Sequence, residues 1–180
     1  ANRAQPGNYE IHRVPLAGGA LEQVTDLDGV SSFVLSPDGS QLALALSRRD
    51  GNVDIYVLTL ATRDLRRLTD DPAIDTEPAW TPDGRSLYFT SDRAGAPQVY
   101  RLGLAEGERP RRITFEGGYN ARPRVSPDGR ELAVVTQDRG AFRIAIVDAE
   151  RGTLRVLSGG RLDESPSWAP ASGASSSRPC

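Results

Sequence analysis

TEPAWTPDGRSLYFTSDRAGAPQVY, residues 76–100, alternates strand-like runs with polar turns. Within it, Pro82–Gly84 predicts a tight turn, because proline presets φ, Asp accepts hydrogen bonds from nearby N–H groups and Gly adopts positive φ. In the run that follows, Leu87 and Phe89 would face one side of a strand and their neighbours the other. The stretch therefore predicts antiparallel strands joined by hairpins.

The Pro-Asp-Gly turn belongs to a repeat. Its prolines lie 45, 45 and 43 residues apart, at Pro37, Pro82, Pro127 and Pro170. A second marker, an aliphatic residue followed by Thr or Ser, has spacings of 44, 45 and 44 residues, at Val24-Thr25, Leu68-Thr69, Ile113-Thr114 and Leu157-Ser158. A third marker recurs every 44 residues, at Glu10-Ile11, Asp54-Ile55 and Gln98-Val99. A period of about 45 residues is typical of the four-stranded blade of a β-propeller.

The sequence thus predicts an all-β fold over residues 1–170: a β-propeller with four-stranded antiparallel blades of about 45 residues. The arc is expected to be incomplete, with three whole blades and a partial blade at each end. An open arc leaves strand edges and apolar faces bare, so it should be less stable than a closed ring. The final ten residues, 171–180, are small and polar and are expected to be disordered. The expected blades cover about 8–28 (partial), 31–70, 76–115, 121–158 and 163–170 (partial).

Recurring apolar positions are expected to pack one blade against the next, because a single four-stranded sheet cannot bury both of its faces alone. One set lies just before each turn and another opens each second strand. These seven residues are Leu35, Trp80, Val125 and Trp168, with Leu42, Leu87 and Leu132.

Composition excludes several kinds of function. A formal net charge of -2 argues against a general nucleic-acid binder. No run approaches the ~18 apolar residues of a transmembrane segment. The chain has one histidine, His12, and no Gly-x-Ser-x-Gly motif, so no hydrolase site is predicted.

No cofactor or metal site is predicted either. No cluster of Cys or His residues has the spacing of a zinc site, and the single cysteine, Cys180, is the last residue of the sequence. Two acidic pairs, Asp70-Asp71 and Asp163-Glu164, could contribute to a weak calcium site, but loop solvation is the preferred explanation for both.

Several ordered pieces carry a resemblance to the TolB propeller family. The variable segments Thr-Glu-Pro (76–78), Pro-Gln-Val-Tyr (97–100) and Leu-Asp-Glu-Ser-Pro (162–166) follow one another along the chain, the first two in the blade at 76–115 and the third at the final partial blade. The resemblance covers about residues 8–170 and rests on residues 68–69, 76–84, 89–92, 97–100, 112–117 and 162–170.

The resemblance implies a non-enzymatic periplasmic scaffold of the Tol-Pal system. Family members bind the peptidoglycan-associated lipoprotein, Pal, through the propeller and TolA through an amino-terminal domain that this sequence does not contain. They support outer-membrane integrity and cell division. Because similar turns occur in prolyl-oligopeptidase-like serine peptidases, the alternative is the gating propeller of such an enzyme, its catalytic domain lying elsewhere.

Candidate partner-binding residues follow from blade geometry. The segment that leads into the inner strand of each blade opens onto one face of the ring, beside the channel. Side chains there form a polar collar of mixed charge, which resembles the family's Pal-binding face. The predicted binding residues are Ser32, Asp75, Thr76, Glu77, Asn120, Arg122, Asp163 and Glu164.

Overall fold

The computed structural model describes residues 10–27, 29–47, 51–160 and 162–169, and within these ranges it contains only β-strands, turns and loops. A two-stranded sheet comes first, made of β1 (His12–Arg13) and β2 (Glu22–Gln23). Three four-stranded antiparallel sheets follow, and in each the strands pair in chain order. The predicted all-β fold with four-stranded antiparallel blades in an open arc is therefore confirmed.

The first four-stranded sheet consists of β3 (Val30–Leu35), β4 (Gln41–Ser47), β5 (Val53–Thr59) and β6 (Leu65–Arg67). The second consists of β7 (Asp75–Trp80), β8 (Ser86–Ser91), β9 (Gln98–Gly103) and β10 (Arg111–Arg112). The third consists of β11 (Asn120–Val125), β12 (Glu131–Asp138), β13 (Ala141–Asp148) and β14 (Leu154–Val156).

The Pro-Asp-Gly turns join the first two strands of each sheet. In the second sheet, Asp83 Oδ1 accepts hydrogen bonds from the Thr81 hydroxyl at 2.5 Å and from the Arg85 N–H at 3.0 Å. Gly84 has a φ of 67°, a conformation that favours glycine. Equivalent hydrogen bonds form around Asp38 and Asp128, so the same local hydrogen-bonding pattern stabilises the hairpin in all three sheets.

The second and third repeat markers meet each other in space. The Thr69 hydroxyl oxygen accepts a hydrogen bond from the Ile55 N–H at 2.9 Å, and the hydroxyl donates to Asp54 at 3.3 Å. This contact ties the segment after the fourth strand to the start of the third. The same backbone bond recurs for Ile11 with Thr25, Val99 with Thr114 and Ile144 with Ser158.

The core lies between the sheets. Leu87 and Phe89 on one face of β8 pack with Ala43 and Ile55 of the first sheet. Tyr88, on the opposite face of β8, packs against residues of the third sheet, among them Leu132, Val134, Ala145 and Val147. Burying a side chain such as Phe89, which is 0% exposed, stabilises the fold by about 1.5–3 kcal/mol. Stacking of neighbouring sheets therefore supplies the burial that one sheet lacks.

Most of the seven predicted packing residues contact a neighbouring sheet. Four of them are buried: Trp80, Leu42, Leu87 and Leu132. Val125 is partly buried against the core cluster that contains Tyr88. The Trp168 indole donates to the Arg124 carbonyl at 2.8 Å.

Leu35 is the exception, and its predicted packing role is wrong, because its side chain is 52% exposed. Its slot corresponds to that of Trp80, which faces the preceding sheet. Before the first sheet, the described residues 10–27 supply only the short strands β1 and β2, which leave that slot uncovered.

No helix in the described ranges is both long and apolar enough to cross a membrane. The predicted disordered tail, Pro170 and Cys180 lie outside the described residues.

Candidate docking face

The first strand of each four-stranded sheet is its inner strand, namely β3, β7 or β11. These strands begin at the same end of their sheets, which is named the inner-strand rim. The Pro-Asp-Gly turns lie at the opposite end, which is named the turn rim. Each inner strand carries a β-bulge shortly after its start, where the pairing with the second strand shifts by one residue. Within two of these bulges, Glu77 and Arg122 have positive φ angles of 55° and 56°. A bulge of this kind redirects the side chain out of the regular alternation of the strand.

The redirected side chains link one sheet to the next. The Ser32 hydroxyl oxygen accepts a hydrogen bond from the Glu77 N–H at 3.2 Å. The Glu77 carboxylate then accepts from the Arg122 N–H at 3.0 Å and from Arg122 Nε at 3.2 Å. Thr90 of β8 donates a further bond of 2.8 Å to the same carboxylate. Three consecutive sheets are thereby joined along the inner-strand rim.

Arg122 extends this chain of contacts to the segment after the third sheet. Its Nη1 lies 3.1 Å from a carboxylate oxygen of Glu164. The side chains of Arg122 and Glu164 are 36% and 50% exposed, whereas that of Glu77 is 26% exposed. The hydrogen bond to Glu164, followed by that to Glu77, raises the pKa of Arg122, so the guanidinium stays charged. The rim therefore presents a cation between two carboxylates.

Thr76 and Ser32 are both half-buried at this rim, and Thr76 pairs with Thr90 across β7 and β8. Asp163 follows the third sheet, where its N–H donates to the Phe142 carbonyl at 3.0 Å and its carboxylate accepts from the Gly160 N–H at 3.1 Å. The structure therefore brings six of the predicted binding residues to the accessible surface of one rim: Ser32, Thr76, Glu77, Arg122, Asp163 and Glu164.

The other two predicted binding residues are placed differently. Asp75 is 0% exposed and its carboxylate accepts bonds of 2.7 and 3.0 Å from Arg93 Nη2. Burial raises the pKa of Asp75 above its usual value, and hydrogen bonds from Ser91 and Arg93 offset only part of that rise. The Arg93 guanidinium lies 5.0 Å from the centre of the Tyr100 ring. The prediction that the Asp75 side chain faces a partner is corrected: this carboxylate anchors the start of β7.

Asn120 is also 0% exposed. Its amide donates to Gln98 Oε1 at 3.0 Å and to the Glu116 carbonyl at 2.8 Å, while its N–H donates to the Pro97 carbonyl at 2.8 Å. The side chain is thus turned into the junction between the second and third sheets. The prediction that Asn120 contacts a partner is also corrected, because its side-chain amide holds the start of β11 in place.

The acidic pairs considered for calcium have local contacts. Asp70 forms an ion pair with Arg67 at 2.7 Å, and Asp71 accepts a bond of 3.0 Å from the Ala73 N–H. Among the described residues, no group of three or more His, Cys, Asp or Glu side chains could hold a metal ion.

A groove of about 670 Å³ runs between the inner strands, below the charged rim. Apolar side chains, among them Val34, Leu35, Trp80 and Trp168, line it together with Glu77 and Arg122. The Trp80 indole donates to the Val34 carbonyl at 3.2 Å, which fixes one wall of the groove. The arrangement, a groove with partly apolar walls and a charged margin, suits binding of a protein surface or peptide.

Comparison with known proteins identifies the family of the chain. The model of the PD40 family, described as the TolB beta propeller domain, matches residues 5–174. This chain belongs to that family. A curated relative, the Tol-Pal system protein TolB of Bordetella parapertussis, is 54% identical over 117 residues, which cover 64% of this chain and 26% of the relative. The chain thus spans about a quarter of the length of that TolB protein.

Solved structures extend the match to the fold. The crystal structure of TolB from Acinetobacter baumannii is 40% identical, with a TM-score of 0.81 over 89% of this chain and 40% of that one. A puromycin hydrolase is 22% identical, with a TM-score of 0.62 over 78% of this chain and 24% of that chain. At that identity the likeness shows the propeller fold alone. The family model, which matches residues 5–174, and the TolB structure therefore agree on a TolB-type β-propeller.

Two residues that support the rim of this TolB-family propeller, Thr90 and Arg93, are not among the residues predicted from the sequence. Thr90 bonds to Glu77, and Arg93 neutralises Asp75. A signal for Arg93 was present, since Asp75 breaks the repeat at a position that Val30 and Asn120 occupy in the neighbouring sheets. A carboxylate at a repeat position that is buried in the neighbouring sheets calls for a nearby cation.

Proposed function

We propose that this chain is a non-enzymatic docking segment of the Tol-Pal system that binds the lipoprotein Pal through its inner-strand rim. Family membership and the Tol-Pal names of the relatives support the choice of system. The choice of surface is supported by one observation: Glu77, Arg122 and Glu164, from successive repeats, form one continuous charged margin.

Rigidity of the rim favours binding. Glu77 and Arg122 are held by bulges with fixed backbone angles and by bonds between sheets, so little conformational entropy is lost when a partner binds. Charged groups at such a margin give specificity and speed association, and the apolar groove beside them provides surface to bury.

The proposal includes the cellular setting that the family resemblance implies. Such a protein works in the periplasm and supports outer-membrane integrity and cell division by holding Pal. Contact with TolA is assigned by that resemblance to an amino-terminal domain, and none of the described residues is proposed to make it.

No catalytic role is proposed for this segment. The charged groups at the rim are engaged with one another, and the only histidine of the chain, His12, is an exposed residue of β1. Glu77 and Arg122 therefore serve structure and recognition in this proposal.

Calorimetric titration of the 180-residue chain with the soluble domain of Pal tests the proposal. Thr76→Ala and Arg122→Gln should each weaken binding, with Arg122→Gln losing about tenfold or more because it removes a charged contact. Arg109→Gln is the matched control, because it removes an exposed positive charge on the loop between β9 and β10, at the turn rim. Wild-type affinity for both rim variants would refute docking at this face.

A further inference from the structure

Arg122 breaks a pattern that Ser32 and Glu77 follow. The Ser32 side chain accepts the N–H of Glu77, and the Glu77 side chain accepts the N–H of Arg122. A guanidinium carries only donors, so Arg122 cannot accept the N–H of Ser165, the next residue of positive φ in the repeat. Arg122 thus ends the chain of backbone contacts and places its donors on carboxylates.

The two carboxylates that contact Arg122 are themselves held in place to different degrees. Glu77 is the more buried, and it also accepts bonds from Thr90 and from the Arg122 backbone. Glu164 is half exposed, and within the described part of the chain Arg122 is its one side-chain partner. Arg122 Nη2 donates to no acceptor among the described residues, whereas Nε and Nη1 are used. The outer half of the guanidinium is therefore only partly occupied.

We propose that Glu164 occupies on Arg122 the place that a carboxylate of the docking partner takes in the complex. This inference rests on the proposed function and adds the chemistry of the partner, which presents an Asp or Glu side chain to the terminal nitrogens of Arg122. Glu77 stays in place and orients the guanidinium, because its other bonds hold it.

The exchange is physically favourable for two reasons. An ion pair between half-exposed groups contributes little to stability, so releasing Glu164 to water costs little. A partner that covers the rim excludes water, and a carboxylate bonded to both terminal nitrogens of an arginine is among the strongest hydrogen-bonded pairs in proteins. Glu164 therefore acts as an internal competitor that sets how tightly the partner binds.

Surface plasmon resonance with the 180-residue chain and the soluble domain of Pal tests the exchange. Glu164→Gln should bind about two- to fivefold more tightly, because it removes a competing surface ion pair. Arg122→Gln should bind more weakly, and the double variant should match Arg122→Gln, since the gain requires the guanidinium. Glu106→Gln, an exposed residue of the loop between β9 and β10, is the matched control and should bind as wild type.

The outcomes separate this inference from the proposed function. If Glu164→Gln binds as wild type or more weakly while Arg122→Gln is impaired, Glu164 does not compete, and the exchange is overturned although docking at the rim stands. If Arg122→Gln and Thr76→Ala both bind as wild type, docking at this rim is contradicted and the exchange with it. Thermal melts of each variant show which losses come from folding; Glu164→Gln should melt as wild type.

Discussion

The backbone N–H of Arg122 donates to the carboxylate of Glu77, 45 residues earlier in the chain, at 3.0 Å. The distance in sequence equals one repeat, and the contact joins equivalent bulges of neighbouring sheets. The β-bulges of β7 and β11 are thus joined by a hydrogen bond between their sheets. The same carboxylate then positions the Arg122 guanidinium at the proposed docking face.

Glu77→Ala should destabilise the chain by about 1–3 kcal/mol, because the Arg122 N–H and the Thr90 hydroxyl lose their acceptor in a partly buried place. Glu77→Gln keeps an acceptor oxygen and should cost less. Urea unfolding followed by tryptophan fluorescence measures both. Equal stability of Glu77→Ala and wild type would show that the contact between the sheets contributes nothing.

Trp80→Phe should cost about 1–2 kcal/mol, since it removes the indole bond to Val34 and leaves a small void between the first and second sheets. Trp80 is 6% exposed, whereas Trp168 is half-buried. Trp168→Phe is therefore the matched control and should cost less. The reverse order, in urea unfolding followed by circular dichroism, would contradict the packing described between these sheets.

Asp75→Asn should cost about 2–3 kcal/mol, because Arg93, whose side chain is 17% exposed, would keep a largely buried charge without its counter-ion. Asp138→Asn, in a partly exposed pair with Arg143, should cost less than about 1 kcal/mol. Thermal unfolding of the two variants compares them directly. A smaller effect at Asp75 than at Asp138 would refute an anchoring role for Asp75.

Acid should weaken the Pro-Asp-Gly turns. The Ser36 hydroxyl and the Ser40 N–H lower the pKa of Asp38 to about 2, and similar bonds lower the pKa of Asp83 and Asp128. Because these pKa values are lower in the folded state, the stabilisation is present above about pH 4 and is lost as pH falls towards 2.

A variant with Asn at Asp38, Asp83 and Asp128 should therefore show a smaller fall in melting temperature between pH 5 and pH 2 than wild type. Glu106→Gln is the control for removal of an exposed carboxylate. Parallel curves for wild type and the triple variant would contradict the role of the turn carboxylates.

The blades could be predicted from the sequence because their signals are local and repeated. A Pro-Asp-Gly turn sets its own hairpin through bonds that reach two residues, as at Asp83, and the Thr and Ser markers recur at the blade period. Alternation of Leu87 and Phe89 with Tyr88 likewise reports directly which face of β8 each residue occupies.

The rim was harder to predict because its side chains depend on distant partners. Asp75 is buried by Arg93, 18 residues later, and Asn120 by Gln98, 22 residues earlier. Positive φ at Glu77 and Arg122 has no signal in residue type, since neither Glu nor Arg favours that conformation. Leu35 was predicted to pack from the repeat alone, yet its burial depends on what the preceding segment supplies.

Hydrogen exchange of the chain with and without the soluble domain of Pal tests the central claim, docking at the inner-strand rim, most directly. Binding should slow exchange in residues 75–77 and 119–122, which lie at that rim, and leave the turns at 82–85 and 127–130 unchanged. Protection of the turn segments with no change in residues 75–77 and 119–122 would contradict the account.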